Sequence, residues 1–174
     1  MEETRTGVVT LKRKPMMLVG PDVKPGDKAP DFRVVDGSLK PVTLADSAAK
    51  VRLVSVVPSV DTPICHAQTL YFNQAAADLP ENVALLTVSV DLPFAQRRWI
   101  GAEGVERVQL LSDYQDRSFG LAYGLLVDEL KLLARAVLII DASDTVVDRE
   151  IVPEISQHPD YEAALAAARK AAGA

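Results

Sequence analysis

The chain has 174 residues, of which 48% are hydrophobic and 25% charged, a composition typical of a globular protein with a substantial core. Its formal net charge of −5 argues against nucleic-acid and anionic-membrane partners, since either requires a basic face on the protein. A single cysteine excludes a scaffold stapled by internal disulfides, and no apolar run approaches the ~20 residues of a membrane span.

The N-terminal segment predicts a β-hairpin. Its first residues are acidic and polar with no apolar core after them, so we predict no signal peptide and a cytoplasmic location. The apolar runs Val8–Leu11 and Met16–Val19 flank the charged Lys12–Pro15, which predicts a hairpin extension within residues 1–20. The proline-rich and glycine-containing stretch 20–32 then predicts an irregular connection.

From residue 32 onward, apolar runs alternate with helix-like stretches. The predicted strands are Phe32–Val35, Val51–Val57, Val83–Val90, Val108–Leu111, Ala134–Ile140 and Thr145–Val152. The predicted helices are Cys65–Leu79, Pro93–Ile100, Asp116–Tyr123 and Asp160–Ala172. This alternation, with an antiparallel pair near the C-terminus, predicts a single α/β domain over residues 1–174 with a mixed sheet.

The sequence around the only cysteine predicts a reactive thiol. An apolar strand runs into Pro58–Cys65, where Asp61 or Thr62 can cap a helix and Pro63 suits the first helical position. Cys65 then lies in the first turn, where the helix dipole and the free N–H groups favour thiolate over thiol. A free cysteine is often only a buried core residue, but this capped turn after a strand favours a functional role.

The segment Pro58–Cys65 resembles the Pro-x-x-x-Thr-x-x-Cys signature of peroxiredoxins, and its Pro-Ser-x-Asp-Thr form resembles their thiol peroxidase branch, the atypical two-cysteine peroxiredoxins. The same resemblance extends to Ser89–Gln96, Gly101–Gly104, Leu111–Asp113, Ala134–Val137 and Pro159–Leu165. It implies a thioredoxin-like, three-layer α/β fold with a mixed central sheet and an N-terminal β-hairpin extension. It also implies thiol-dependent reduction of hydrogen peroxide and organic hydroperoxides, with no metal and no organic cofactor, by a homodimer.

The resemblance assigns a catalytic role to four residues. The Cys65 thiolate would attack the distal oxygen of a hydroperoxide and become a sulfenic acid. Arg135 would stabilise the sulfur and the leaving oxygen, Thr62 would hydrogen-bond the thiolate or the peroxide, and Pro58 would shield the sulfur from water. From the residues alone, Arg135 could be a surface residue at a strand edge, Thr62 a helix cap and Pro58 a strand terminator.

Other residues near the motif are weaker candidates. His66 points about 100° away from Cys65 around a helix, which argues against a role as its base. The chain's two histidines and one cysteine form no recognised metal spacing. Gln68 shares the helix face of Cys65, where a surface or helix-packing role is favoured over substrate contact. Phe94 and Trp99 could line an apolar wall for organic peroxides, but we predict that both are core residues.

The chain departs from the thiol peroxidase pattern at one position. That branch carries a resolving cysteine just before Gly101–Gly104, and this chain has Ile100 there. The usual internal disulfide with Cys65 therefore cannot form, so we expect an external thiol, small or on a thioredoxin-like protein, to reduce the sulfenic acid. Two alternatives are a disulfide between two subunits and an engineered loss of a native cysteine.

The missing cysteine also keeps two other functions open. One is a non-enzymatic peroxide sensor or thiol-transfer partner that uses the Cys65 sulfenic acid as a signal. The other is a structural relic whose thiol is buried and unreactive.

Overall fold

The computed structural model describes residues 2–173, and this part of the chain contains two sheets and four α-helices. The strands are β1 (Thr4–Leu11), β2 (Lys14–Val19), β3 (Arg33–Val35), β4 (Pro41–Thr43), β5 (Val51–Val56), β6 (Val83–Ser89), β7 (Gln109–Ser112), β8 (Leu126–Val127), β9 (Leu132–Leu133), β10 (Ala136–Ile140) and β11 (Val146–Ile151). The helices are α1 (Pro63–Ala75), α2 (Pro93–Glu103), α3 (Ser118–Ala122) and α4 (Tyr161–Ala171), with 3-10 turns at Leu44–Ser47 and Ala76–Asp78.

The larger sheet is mixed, as predicted, and its strand order is β11-β10-β5-β6-β7-β3-β4. Strands β5, β6 and β7 run parallel, whereas β10 is antiparallel to β5. Ala136 at the start of β10 pairs with Val56 at the end of β5, and Val56 pairs with Val88 near the end of β6. One edge of the sheet therefore collects the carboxyl ends of β5 and β6 and the beginning of β10.

Both faces of this sheet are covered. Successive side chains of a strand point to opposite faces, and the buried strands carry apolar side chains on both, so each face packs against other elements. Helices α1, α2 and α4 cover one face, where Phe72, Trp99 and Leu165 pack in one cluster with Leu53 and Ile139. Helix α3 and the segment after β2 cover the other face through a second cluster that includes Val23, Phe32, Val54, Phe119 and Leu138. The result is a three-layer arrangement with the sheet in the middle.

The predicted N-terminal hairpin is present and forms a sheet of its own. Strand β1 pairs with β2, and Lys12 and Arg13 between them both have positive φ (50° and 68°). Such a two-residue turn joins the strands directly. Lys14 and Pro15, which the sequence assigned to the turn, therefore belong to β2. Strands β8 and β9, which were not predicted, complete the order β1-β2-β8-β9.

Some element bounds differ from the prediction, and one further strand was not predicted. Helix α1 begins at Pro63 and not at Cys65. Helix α2 continues past Ile100 until Gly104, whose left-handed conformation (φ 67°) ends it. Strand β4 was not predicted, and its edge position lets it begin with Pro41, since an edge strand tolerates a missing N–H. Among the helices of residues 2–173, none combines the length and apolar character needed to cross a membrane.

Candidate active site

The candidate residues meet at the sheet edge where β5 ends. Cys65 lies in the first turn of α1, which follows β5 after a short loop. Arg135 immediately precedes β10, whose first residue Ala136 pairs with Val56 at the end of β5. The antiparallel pairing therefore brings Arg135 to the beginning of α1, although the two residues are 70 positions apart in the chain.

Arg135 contacts the sulfur directly. Its Nη2 donates to Cys65 Sγ at 3.3 Å, its Nη1 to Gln68 Oε1 at 3.0 Å and its Nε to the carbonyl oxygen of Ile155 at 2.8 Å. Arg135 is 2% exposed and Cys65 is 0% exposed. A guanidinium fixed at this distance and away from water can stabilise negative charge that develops beside it during a reaction. Because Arg135 is buried, the surface alternative for it is wrong.

Gln68 holds the Arg135 guanidinium in place. It is fully buried, and its Nε2 donates to Ser55 Oγ at 2.8 Å while its Oε1 accepts from Arg135. Of the two roles that the sequence favours, a surface role is wrong because Gln68 is buried, and the bridge itself was not predicted. Two signals point to it: Gln68 is one helical turn from Cys65, and Ser55 interrupts the apolar run of β5.

Thr62 is the N-cap of α1, with Pro63 at the first helical position, as predicted. Its hydroxyl accepts no hydrogen bond from the N–H groups of the helix, and it donates to the carbonyl oxygen of Ser59 at 3.2 Å. A hydroxyl that donates a hydrogen bond still has lone pairs with which it can accept another one. Pro58 is buried in the loop that follows β5.

His66 faces away from the sulfur, as its helical position predicts. Its Nδ1 accepts from Trp99 Nε1 at 3.1 Å, and its Nε2 lies 3.6 Å from Glu103 Oε2. Trp99 is 6% exposed and is a core residue, as predicted. Phe94 is 61% exposed, so its assignment to the core is wrong. Helix α2 buries the face that carries Gln96 and Trp99, and Phe94 lies on a different face.

Aromatic side chains attach α4 to α1 beside the site. The ring of Tyr161 stacks on Tyr71 with centroids 4.2 Å apart and meets Phe72 edge-on at 5.5 Å. Burial raises the pKa of Tyr161, and the positive charge of Arg135 opposes that rise. Within residues 2–173, His, Cys, Asp and Glu side chains form no group of three or more that could hold a metal ion.

Known proteins are similar to this chain over almost its whole length. The Redoxin family matches residues 24–165. A thiol peroxidase of Halalkalibacterium halodurans is 56% identical over 163 residues, which cover 94% of this chain and 98% of that protein. A thiol peroxidase of Bacillus subtilis is 50% identical over 161 residues, covering 92% and 96%. The crystal structure of a peroxiredoxin-like protein from Aquifex aeolicus is 38% identical, with a TM-score of 0.89 and 98% of each chain covered.

Proposed function

Because this chain belongs to the Redoxin family, and within it to the thiol peroxidase branch of the peroxiredoxins, we propose that it reduces hydroperoxides through Cys65. The thioredoxin-like fold implied by the sequence resemblance is confirmed by the family and its solved structures. The 3.3 Å contact between the Arg135 guanidinium and the Cys65 sulfur is the observation that best supports this chemistry.

In the proposed reaction, the Cys65 thiolate attacks the terminal oxygen of the hydroperoxide. The S–O bond forms as the O–O bond breaks, and the electron pair of that bond leaves on the second oxygen. This oxygen takes up a proton and departs as water or an alcohol, and Cys65 is left as a sulfenic acid. Arg135 stabilises negative charge first on the sulfur and then on the departing oxygen, without having to reorganise.

Thr62 and Pro58 complete the proposed set of catalytic residues. Because the Thr62 hydroxyl donates its hydrogen bond to the Ser59 carbonyl, its oxygen is suited to accept one from the O–H of the incoming hydroperoxide. Pro58 contributes a buried side chain and no N–H group to the same loop. Since Cys65 has no exposed surface, we infer that the substrate enters when the loop before α1 moves locally.

Recycling requires a thiol from outside the chain. Cys65 is the only cysteine, and Ile100 packs against the same apolar cluster that contains Cys65. In the proposed cycle, an external thiolate attacks the sulfenic sulfur; the S–O bond breaks, and the hydroxide that leaves takes up a proton to become water, so a mixed disulfide is formed. A second external thiolate then attacks the external sulfur of that disulfide, which yields an external disulfide and restores the Cys65 thiolate. A thioredoxin-like protein or a small thiol meets this requirement.

Two further parts of the proposal concern the compartment and the oligomeric state. We propose a cytoplasmic location, because a reducing compartment keeps a lone thiol usable. We also propose a homodimer, which light scattering of the reduced protein would detect. A scattering mass equal to that of one chain would contradict the dimer and would leave the peroxidase chemistry intact.

The experiment that tests the function is a single turnover of the reduced protein with cumene hydroperoxide in a stopped-flow instrument, followed by mass spectrometry of Cys65. We expect stoichiometric loss of peroxide and one added oxygen on Cys65, with neither change in a Cys65→Ser control. An intact thiol after exposure to peroxide would overturn the proposal. Oxidation that no thiol reductant reverses would instead favour the sensor.

A further inference from the structure

A carboxylate joins the loop before α1 to the end of the neighbouring strand. Asp91 follows β6, and its carboxylate accepts from Ser59 Oγ at 2.7 Å, from the Val60 N–H at 2.9 Å and from Ser89 Oγ at 2.6 Å. Because β5 and β6 are parallel neighbours, the segments that follow them emerge at the same edge of the sheet. Asp91 therefore fastens the loop that leads to Cys65.

Buried polar groups hold Asp91 itself. The Ser89 hydroxyl, which donates to Asp91, accepts from Gln96 Nε2 at 3.1 Å, and the same nitrogen donates to the carbonyl oxygen of Leu111 at 2.9 Å. The Ser112 hydroxyl donates to the backbone carbonyl of Asp91. Ser89, Gln96 and Ser112 are all at most 1% exposed. Groups from β6, β7 and α2 thus fix the position of Asp91.

The same network continues from Ser59 to Thr62. The Ser59 hydroxyl donates to Asp91 and accepts from the Asp61 N–H at 3.2 Å, so its orientation is set from both sides. The carbonyl oxygen of Ser59 accepts from both the hydroxyl and the N–H of Thr62, each at 3.2 Å. The direction in which the Thr62 hydroxyl donates therefore depends on a residue that Asp91 holds.

We propose that Asp91 is a positioning residue for peroxide reduction, which acts through Ser59 to keep the Thr62 oxygen free as an acceptor for the hydroperoxide O–H. This inference rests on the proposed function. The role requires a carboxylate, because all three partners of Asp91 donate to it and both of its oxygens accept. An amide of the same shape would turn an N–H group toward one of these donors.

The test compares two reactions of the same sulfur in Asp91→Asn. Alkylation of Cys65 by iodoacetamide requires the thiolate and access to it, but no acceptor for a substrate O–H. We expect Asp91→Asn to slow the reaction with cumene hydroperoxide about tenfold, as for a transition-state hydrogen bond weakened by about 1.4 kcal/mol, and to leave the alkylation rate nearly unchanged. Asp78→Asn is the matched control, because Asp78 is an exposed carboxylate in the 3-10 turn after α1.

A double-mutant cycle locates the effect. Thr62→Val removes the acceptor oxygen, so adding Asp91→Asn to Thr62→Val should cause no further loss of the peroxide rate. Additive losses, or an equal fall in the peroxide and alkylation rates, would overturn the positioning role. If Asp91→Asn does not fold, Ser59→Ala removes the same link and is judged by the same two rates. A wild-type protein that is alkylated but does not consume peroxide would refute the proposed function itself.

Discussion

Arg135→Met removes the charge beside the sulfur and keeps most of the side-chain volume. At the observed 3.3 Å between Nη2 and Sγ, unit charges attract by about 5 kcal/mol at an effective dielectric constant of about 20. Every 1.36 kcal/mol of lost transition-state stabilisation slows a reaction about tenfold, so complete loss of this term corresponds to about 10³–10⁴-fold. Because desolvation offsets part of the attraction of buried charges, we expect a loss of at least about 100-fold.

The assay for Arg135→Met is the rate of sulfenic acid formation at Cys65 under excess cumene hydroperoxide, measured by stopped flow. Arg98→Met is the matched control, since Arg98 lies in α2 with its side chain 73% exposed and its Nη2 3.8 Å from Asp61 Oδ2. An exposed ion pair of this kind contributes little, so the control should keep a nearly wild-type rate. Circular dichroism checks that the substituted proteins are folded.

Two results would refute this reasoning. A wild-type rate in Arg135→Met would show that the contact with the sulfur does not stabilise the reacting charge. An equal loss in Arg98→Met would show that the rate depends on overall positive charge near the site and not on the contact.

Three other substitutions test different parts of the structure. Gln68→Met should lower both the melting temperature and the rate of peroxide reduction, because it leaves the buried Arg135 Nη1 and Ser55 Oγ without a hydrogen-bond partner. Each unpaired group costs about 1–3 kcal/mol of stability. An unchanged melting temperature would contradict this prediction. Ile100→Cys should turn over faster with thioredoxin than the unsubstituted chain does, because it supplies the missing resolving thiol, and equal steady-state rates would contradict this. Burial raises the pKa of Asp113 from 3.8 to about 6. Between these two pH values the native state binds a proton that the unfolded chain has already released. The free energy of unfolding should therefore fall by about 3 kcal/mol as pH rises from about 4 to above 6. Urea denaturation at several pH values measures this fall, and Asp113→Asn should flatten it; an unchanged slope in that variant would assign the effect to another group.

The elements that the sequence predicted best are those with a long and continuous apolar pattern. Strands β5, β6 and β10 and helix α4 were found close to their true bounds, because each buries a repeated apolar face. Strands β4, β8 and β9 have only two or three residues, which is too short for any period to show. Their existence depends on pairing with distant strands, which no local pattern encodes.

The site was predictable where it depends on local sequence. The turn from β5 into α1 can be read from Pro58, Thr62, Pro63 and Cys65, because caps and dipoles act within a few residues. The contact of Arg135 with the sulfur was expected only through the family resemblance, since it depends on the antiparallel pairing of β10 with β5.

Other parts of the site needed the three-dimensional structure. The bridge through Gln68 and the network around Asp91 both join side chains from different elements, at separations of up to 67 residues in the chain. Phe94 was misplaced because apolar character alone does not reveal which face of a helix the fold leaves uncovered. In each case the deciding interaction is tertiary.

The hydrogen bond between Trp99 and His66 places an intrinsic fluorophore next to the helix turn that carries Cys65. Trp99 is the only tryptophan of the chain, and its indole N–H is bound to the ring of the residue that directly follows Cys65. A displacement of the first turn of α1 during oxidation or reduction would alter the surroundings of that indole. We therefore expect the intrinsic fluorescence of the unlabelled protein to report such a displacement in real time, without a dye or a coupling enzyme.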